Sequence, residues 1–130
     1  MRFVVLHHTG WPGHADHYDL LLQRAAGRGD DDRVLTAFGS LANEFPWELC
    51  LLRRRADHAK AYLTFEGPVS GGRGRVQRVD EGECTATAPP APDMAEVNVQ
   101  LSGLKLNGLF RLRHVGEGVY SFERTAVQRR

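Results

Sequence analysis

Several features that would point at once to a function are missing from this chain of 130 residues. It has only two cysteines, Cys50 and Cys84. They form no Cys-x-x-Cys pair, which sets aside a thiolate zinc site or a dithiol redox motif and leaves two free thiols in a reducing compartment. No apolar run approaches the roughly 20 residues of a membrane span. The apolar part of the first segment, residues 3–6, is too short for a secretory leader, so a cytoplasmic protein with no membrane partner is expected. Charge of either sign is not in excess: 17 Lys and Arg stand against 16 Asp and Glu, a net +1. An anionic partner would therefore have to be met by a local patch rather than by the whole surface. The glycine-rich GPVSGGRGR (67–75) lacks the Gly-Lys-Ser/Thr ending of a nucleotide-binding P-loop and reads as a tight turn or bulge. No internal repeat is present.

What is present suits one ordinary globular domain: 42% hydrophobic and 25% charged residues, enough chain for a core without staples. The apolar stretches are short and separated by glycine and proline. Strands are expected at 3–8, 17–23, 34–39, 61–65, 75–79, 97–101, 109–113 and 119–123. RAAGRGDDDR (24–33) reads as a hairpin tip. DEGE (80–83) reads as a turn and TAPPAPDMA (87–95) as a proline-rich linker. Residues 40–57 read as a strand entering a basic turn or as one turn of helix, with Pro46 ending any longer helix. Residues 125–130 read as a frayed tail. The fold class that follows is all-β: one antiparallel barrel or sandwich over residues 1–124, with short helical turns at most.

Within HHTGWPGHADHYDLLL (7–22) lie four histidines and two aspartates. On a strand, residues two apart share a face. His17, Asp19 and Leu21 therefore point one way, and Tyr18, Leu20 and Leu22 point the other, toward the core. An imidazole beside a carboxylate can ligate Mn²⁺, Zn²⁺ or Fe²⁺. His7 and His8 are the sources of a third ligand, and three protein ligands leave room for water and substrate. His14 reads as a solvent-exposed loop residue. His17 and Asp19 with the distant His114 also match the ligand pattern of non-haem iron oxygenases. A second stretch, RRRADHAKAYLTFEG (53–67), offers Arg53, Arg54 and Arg55 as phosphate donors. There, His58 and Tyr62 fall on one face of an extended segment and can hold or protonate a phosphoryl oxygen. Taken alone, the arginines read as a solvated charged turn. Lys105 and Asn107 in SGLKLNG read as the polar outer face of a strand.

The order FVVLHH, HYDLLL, DHAKAYLTFEGPVSGGRGRVQRVDEG, LSGLKLNGLFRL resembles the phosphoesterase domain of bacterial ligase D, the end-joining DNA ligase, and in particular its short stand-alone relatives. The resemblance spans about residues 3–113. It implies a compact β-barrel with a site on its outer concave surface. It also implies a Mn²⁺-dependent enzyme that trims damaged or ribonucleotide-bearing 3′ ends of DNA or RNA to leave a 3′-hydroxyl. A separate DNA ligase or repair polymerase is then the expected protein partner. By the same resemblance His8, His17 and Asp19 are metal ligands, with Zn²⁺ the alternative ion. His58 contacts phosphate, Tyr62 matches the family tyrosine, and Glu66 and Gly67 match a structural turn. The chain departs from the family at Leu21, where the HYD strand carries a phosphate-contacting arginine. Losing that donor is worth on the order of 2–4 kcal/mol of transition-state stabilisation unless Arg53, Arg54 or Arg55 replaces it. The loop between His8 and His17 is also longer than in the family and lacks its basic residues, and VLTAFGSLAN (34–43) lacks the family's lysine and proline. A non-catalytic relative that binds metal and nucleic acid is the alternative expectation.

Overall fold

A computed structural model describes residues 1–86 and 95–126. Nine strands follow in chain order: β1 (Arg2–Thr9), β2 (His17–Gln23), β3 (Leu35–Ser40), β4 (Leu49–His58), β5 (Gly67–Pro68), β6 (Arg75–Ala86), β7 (Glu96–Ser102), β8 (Asn107–Gly116) and β9 (Val119–Ala126). All pairings are antiparallel, in the order β1-β2-β3-β4-β9-β8-β7-β6. Pairing of β1 with β6 closes this ring of eight strands into a barrel. The short β5 adds to β6 from outside the ring. Full closure leaves no ladder edge along the ring. Among the described residues no helix is long and apolar enough to cross a membrane.

The period-two pattern sorts residues into two apolar clusters. The inner cluster takes side chains from all eight ring strands, including Phe3, Leu20, Phe38, Leu52, Cys84, Val99, Phe110 and Phe122. Trp47, which packs edge-on to Phe122, and Leu106 join it from the 41–48 and 103–106 connections. The barrel is thus filled, as expected for eight strands. The outer cluster is Val4, Leu6, Leu21, Leu35 and Ala37, covered by Val69 and Val76, with Tyr62 and Leu63 packed against it. Each fully buried leucine there contributes about 2 kcal/mol of apolar transfer energy. Residues 59–76 therefore form a cover over one outer patch of the barrel.

Five sequence expectations change. Residues 61–65 are not a strand; a single 3-10 turn (Lys60–Leu63) stands there, because Tyr62 and Leu63 supply cover contacts rather than a pleated face. DEGE is not a turn, since β6 runs through it. A bulge shifts the β1–β6 register between Val5 and Leu6. Beyond it, the exposed or half-exposed Glu81 and Glu83 face outward to Arg2 (3.2 and 3.6 Å), while Cys84 turns into the barrel. The stretch 40–57 resolves into a connection and the long strand β4, so Arg53–Arg55 are strand residues. Gly103–Leu106 is a turn, with Lys105 in it. Of the expected tail, residues 125 and 126 belong to β9, and 127–130 lie outside the described residues, as do 87–94 of the expected linker.

Candidate metal centre

His8 and His17 face each other across β1 and β2, and Asp19 stands one pleat further along. All three share the outer face with Leu6 and Leu21 and are buried under the cover. Their ligand atoms lie within 4.8 Å of one another, an arrangement that can hold a metal ion. His7, on the opposite parity, stacks on Tyr18 at 4.3 Å and meets Asn43 Oδ1 at 3.1 Å. Strand parity thus settles which of the two adjacent histidines joins the group.

Hydrogen bonding fixes both tautomers. His8 Nε2 is 2.6 Å from the Arg73 carbonyl and His17 Nδ1 is 2.9 Å from the Ala15 carbonyl. A carbonyl only accepts, so each of these nitrogens carries a proton and donates it. The other nitrogen of each neutral ring then presents a lone pair. His8 Nδ1 lies 3.3 Å from Asp19 Oδ2, and His17 Nε2 lies 3.1 Å from Asp19 Oδ1. Two imidazole lone pairs and a carboxylate therefore converge on one point and require a cation there, either protons or a metal. Backbone carbonyls that orient ligating histidines are the usual outer support of a metal site. In the metal-free chain the proton answers. The hydrogen bond to Asp19 raises His17 above its ordinary 6.5 against the opposing effect of burial. Burial pushes the Asp19 carboxyl up, but hydrogen bonds and charge from His17 and His8 outweigh it and hold it below 3.8.

The Arg73 carbonyl reaches His8 because the 70–74 turn lies against the start of the β1–β2 loop. At Gly74 (φ +76°) any Cβ would run into the Thr9 carbonyl oxygen. The glycine-rich stretch is thus a tight turn, and glycine is required where it touches the other loop.

The group opens on a cavity of about 280 Å³ whose wall includes Trp11, Arg55, His58, Tyr62 and Arg73. Of the three consecutive arginines, Arg55 lines it. Arg55 crosses Gly39 toward Asp19: a Cβ on Gly39 would sit 2.9 Å from Arg55 Nε and 3.4 Å from Asp19 Oδ1. Arg54 turns away, paired with Asp57 at 2.6 Å over the Phe38 ring. Arg53 is exposed, two residues from Arg55 on the same outer face. His58 and Tyr62 meet edge to face at 5.2 Å, brought together by the 3-10 turn rather than by an extended segment. His58 Nδ1 donates to the Ala56 carbonyl (2.9 Å), which leaves Nε2 as its reactive atom. Leu21 is fully buried in the outer core beneath the cover and does not line the cavity. His14 is exposed and stacks on Trp11 at 3.7 Å. His114, on β8 against Tyr120, is not part of the one ligand group found among the described residues, which overturns the iron-oxygenase triad. Burial pushes the thiols of Cys50 and Cys84 up to about 12 and about 11, away from reactive thiolates.

No family model and no curated protein matches the chain. The site therefore rests on its own geometry. Three wall residues were not legible in the sequence. Trp11 sits in a glycine- and proline-bounded loop, and Arg33, in the wall of an adjoining cavity that shares His58, Tyr62 and Arg73, sits in a charged hairpin. Arg73 supports the site through a backbone carbonyl, which no side-chain pattern signals. The flanking Gly72 and Gly74 are the clue that this arginine's backbone approaches another segment.

Proposed function

We propose that the protein is a Mn²⁺-dependent phosphoesterase acting on nucleic-acid 3′ ends, a stand-alone relative of the ligase D phosphoesterase domain. One observation carries the reading: two tautomer-locked imidazole lone pairs and a carboxylate converge beside a cavity that also holds an arginine without a carboxylate partner. A nitrogen–carboxylate set with room for water suits Mn²⁺, with Zn²⁺ the alternative. Such an ion, when bound, supplies Lewis-acid charge at a phosphoryl oxygen and lowers the pKa of a bound water.

The chain's own residues do the rest. His8, His17 and Asp19 hold the ion. Arg55 offers a planar fork of donors to the remaining phosphoryl oxygens as charge develops on them. It thereby fills the role that a residue at position 21 would otherwise serve, since Leu21 is committed to the outer core. His58 Nε2 takes or gives the proton at the leaving or attacking oxygen. Tyr62 packs against the His58 ring and holds its orientation. The cover and Trp11 limit water around the reacting group.

The test is conversion of a 5′-labelled primer–template ending in a 3′-phosphate or one 3′-ribonucleotide, with Mn²⁺. Wild type is expected to leave a 3′-hydroxyl, and Asp19→Ala is expected to lose turnover and metal together. Retained turnover in Asp19→Ala overturns the mechanism. Metal binding without conversion by wild type leaves the non-catalytic relative.

A further inference from the structure

We propose that a second cavity beside the metal centre is a phosphate subsite, which holds the next phosphate along a strand and so selects a polynucleotide end over a mononucleotide. This rests on the reading of the metal centre as a phosphoester site. The second cavity, of about 170 Å³, shares Ala56, His58, Tyr62 and Arg73 with the first and adds Arg33. The two are therefore neighbouring compartments divided by the His58–Tyr62 pair.

Charge marks the compartment for an anion. Arg2, Arg24, Arg54, Arg78, Arg111 and Arg124 each meet a carboxylate. Among the described residues Arg28, Arg33, Arg53, Arg55, Arg73, Arg75 and Arg113 meet none; of these, Arg33, Arg55 and Arg73 line the two cavities, while the other four are exposed and line neither. Arg33 donates through Nη1 to the Asp57 carbonyl (2.8 Å), and Arg73 donates to the Ser70 carbonyl (2.8 Å) and hydroxyl (3.3 Å). These bonds hold the side chains in place without neutralising them. The acid in the wall, Asp57, is offset by Arg24 at 2.8 Å and Arg54 at 2.6 Å. Two guanidinium groups from separate segments, the β2–β3 connection and the glycine turn, suit a phosphodiester oxygen pair. A mononucleotide 3′-phosphate fills the metal compartment alone. A strand adds a phosphate for the second.

The test measures binding with Mn²⁺ present to a labelled short DNA bearing a 3′-phosphate, and to thymidine 3′-monophosphate by competition. Wild type is expected to prefer the DNA. Arg33→Glu, an exposed change, is expected to cut that preference about tenfold and to reduce the salt slope of DNA binding by about one, with Arg33→Lys restoring most of it. An unchanged preference in Arg33→Glu overturns the subsite, as does equal binding of both ligands by wild type; in either case the metal-centre reading stands. Binding of neither ligand by a protein that still takes up Mn²⁺ overturns both.

Discussion

Asp19 and Asp80 are both 5% exposed, yet their surroundings differ completely. Asp80 follows the β6 bulge and accepts backbone N–H groups from Glu81, Leu104, Lys105 and Leu106 at 2.7–3.2 Å. Every partner is a donor, so the carboxylate is satisfied, and it ties the β7–β8 turn to the barrel. Gly103 packs so closely that a Cβ would sit 2.6 Å from Asp80 Oδ2. Asp19 instead faces two ring nitrogens that carry no proton while the rings are neutral, because each imidazole donates its N–H to a carbonyl on the opposite side. A buried acid surrounded by donors is a structural anchor. A buried acid surrounded by lone pairs is incomplete and needs a cation. Burial alone does not separate the two; the identity of the neighbouring atoms does.

Exchanging each carboxylate for its amide would break the comparison most sharply. Asp19→Asn should lower Mn²⁺ affinity by roughly a hundredfold or more, as loss of a ligand charge does, while the metal-free protein loses only the His17–Asp19 contribution and its urea midpoint falls less than in the Asp80 variant. Asp80→Asn should do the reverse. It turns one acceptor into a donor among backbone donors, and a loss of about 2–4 kcal/mol in urea unfolding is expected with metal affinity intact. If both variants lose stability alike, Asp19 is merely another anchor.

Next in size is Arg55→Ala, expected to lower kcat on a 3′-phosphate about a hundredfold while sparing metal affinity. The Arg55 charge opposes protonation of His17 and repels a metal ion by the same field, so its removal favours both competitors and metal affinity should change little. A variant with wild-type turnover would leave the missing arginine at position 21 uncompensated.

A smaller effect concerns pH. His17 is raised above 6.5, so its protonated form stabilises the metal-free fold fully below pH 6.5, and that contribution is lost as pH rises through the raised value. Asp19 is lowered, so its contribution is present above pH 3.8 and lost only as pH falls through its depressed value. Mn²⁺ competes with the His17 proton, so affinity should climb across the same interval in which metal-free stability declines. Thermal melts with and without Mn²⁺ between pH 5 and 8 would check this, spanning about the range where imidazole titrates. Parallel curves would count against a shared site. Smallest is Gly39→Ala, whose methyl displaces Arg55 by a few tenths of an ångström. A several-fold loss of turnover with a normal melt is expected.

Period-two alternation made much of this legible. It separated Leu20 and Leu22 from His17, Asp19 and Leu21, and many short strands gave an all-β barrel or sandwich, of which the resemblance implied the barrel. It failed where a residue served another purpose. Tyr62 and Leu63 are apolar because they cover the outer core, not because they pleat. Glu81 and Glu83 are acidic because they face Arg2 outside the barrel, and the bulge that places them leaves no mark in composition. The choice of Arg55 over Arg53 and Arg54 depends on β4 register against β3, and the Arg73 carbonyl is backbone. Neither can be read from residue type.

The cover has a consequence for redesign. The barrel is closed and filled by its own side chains, and it contributes the metal ligands and Arg55 from β1, β2 and β4. Part of the wall that shapes what enters, Tyr62, Val69 and Arg73, comes from the one continuous stretch joining β4 to β6. Such a stretch is a cassette: exchanged with the 70–74 turn kept, so that the Arg73 carbonyl still orients His8, it would change the chemistry admitted while the scaffold and the candidate ion site stay as they are.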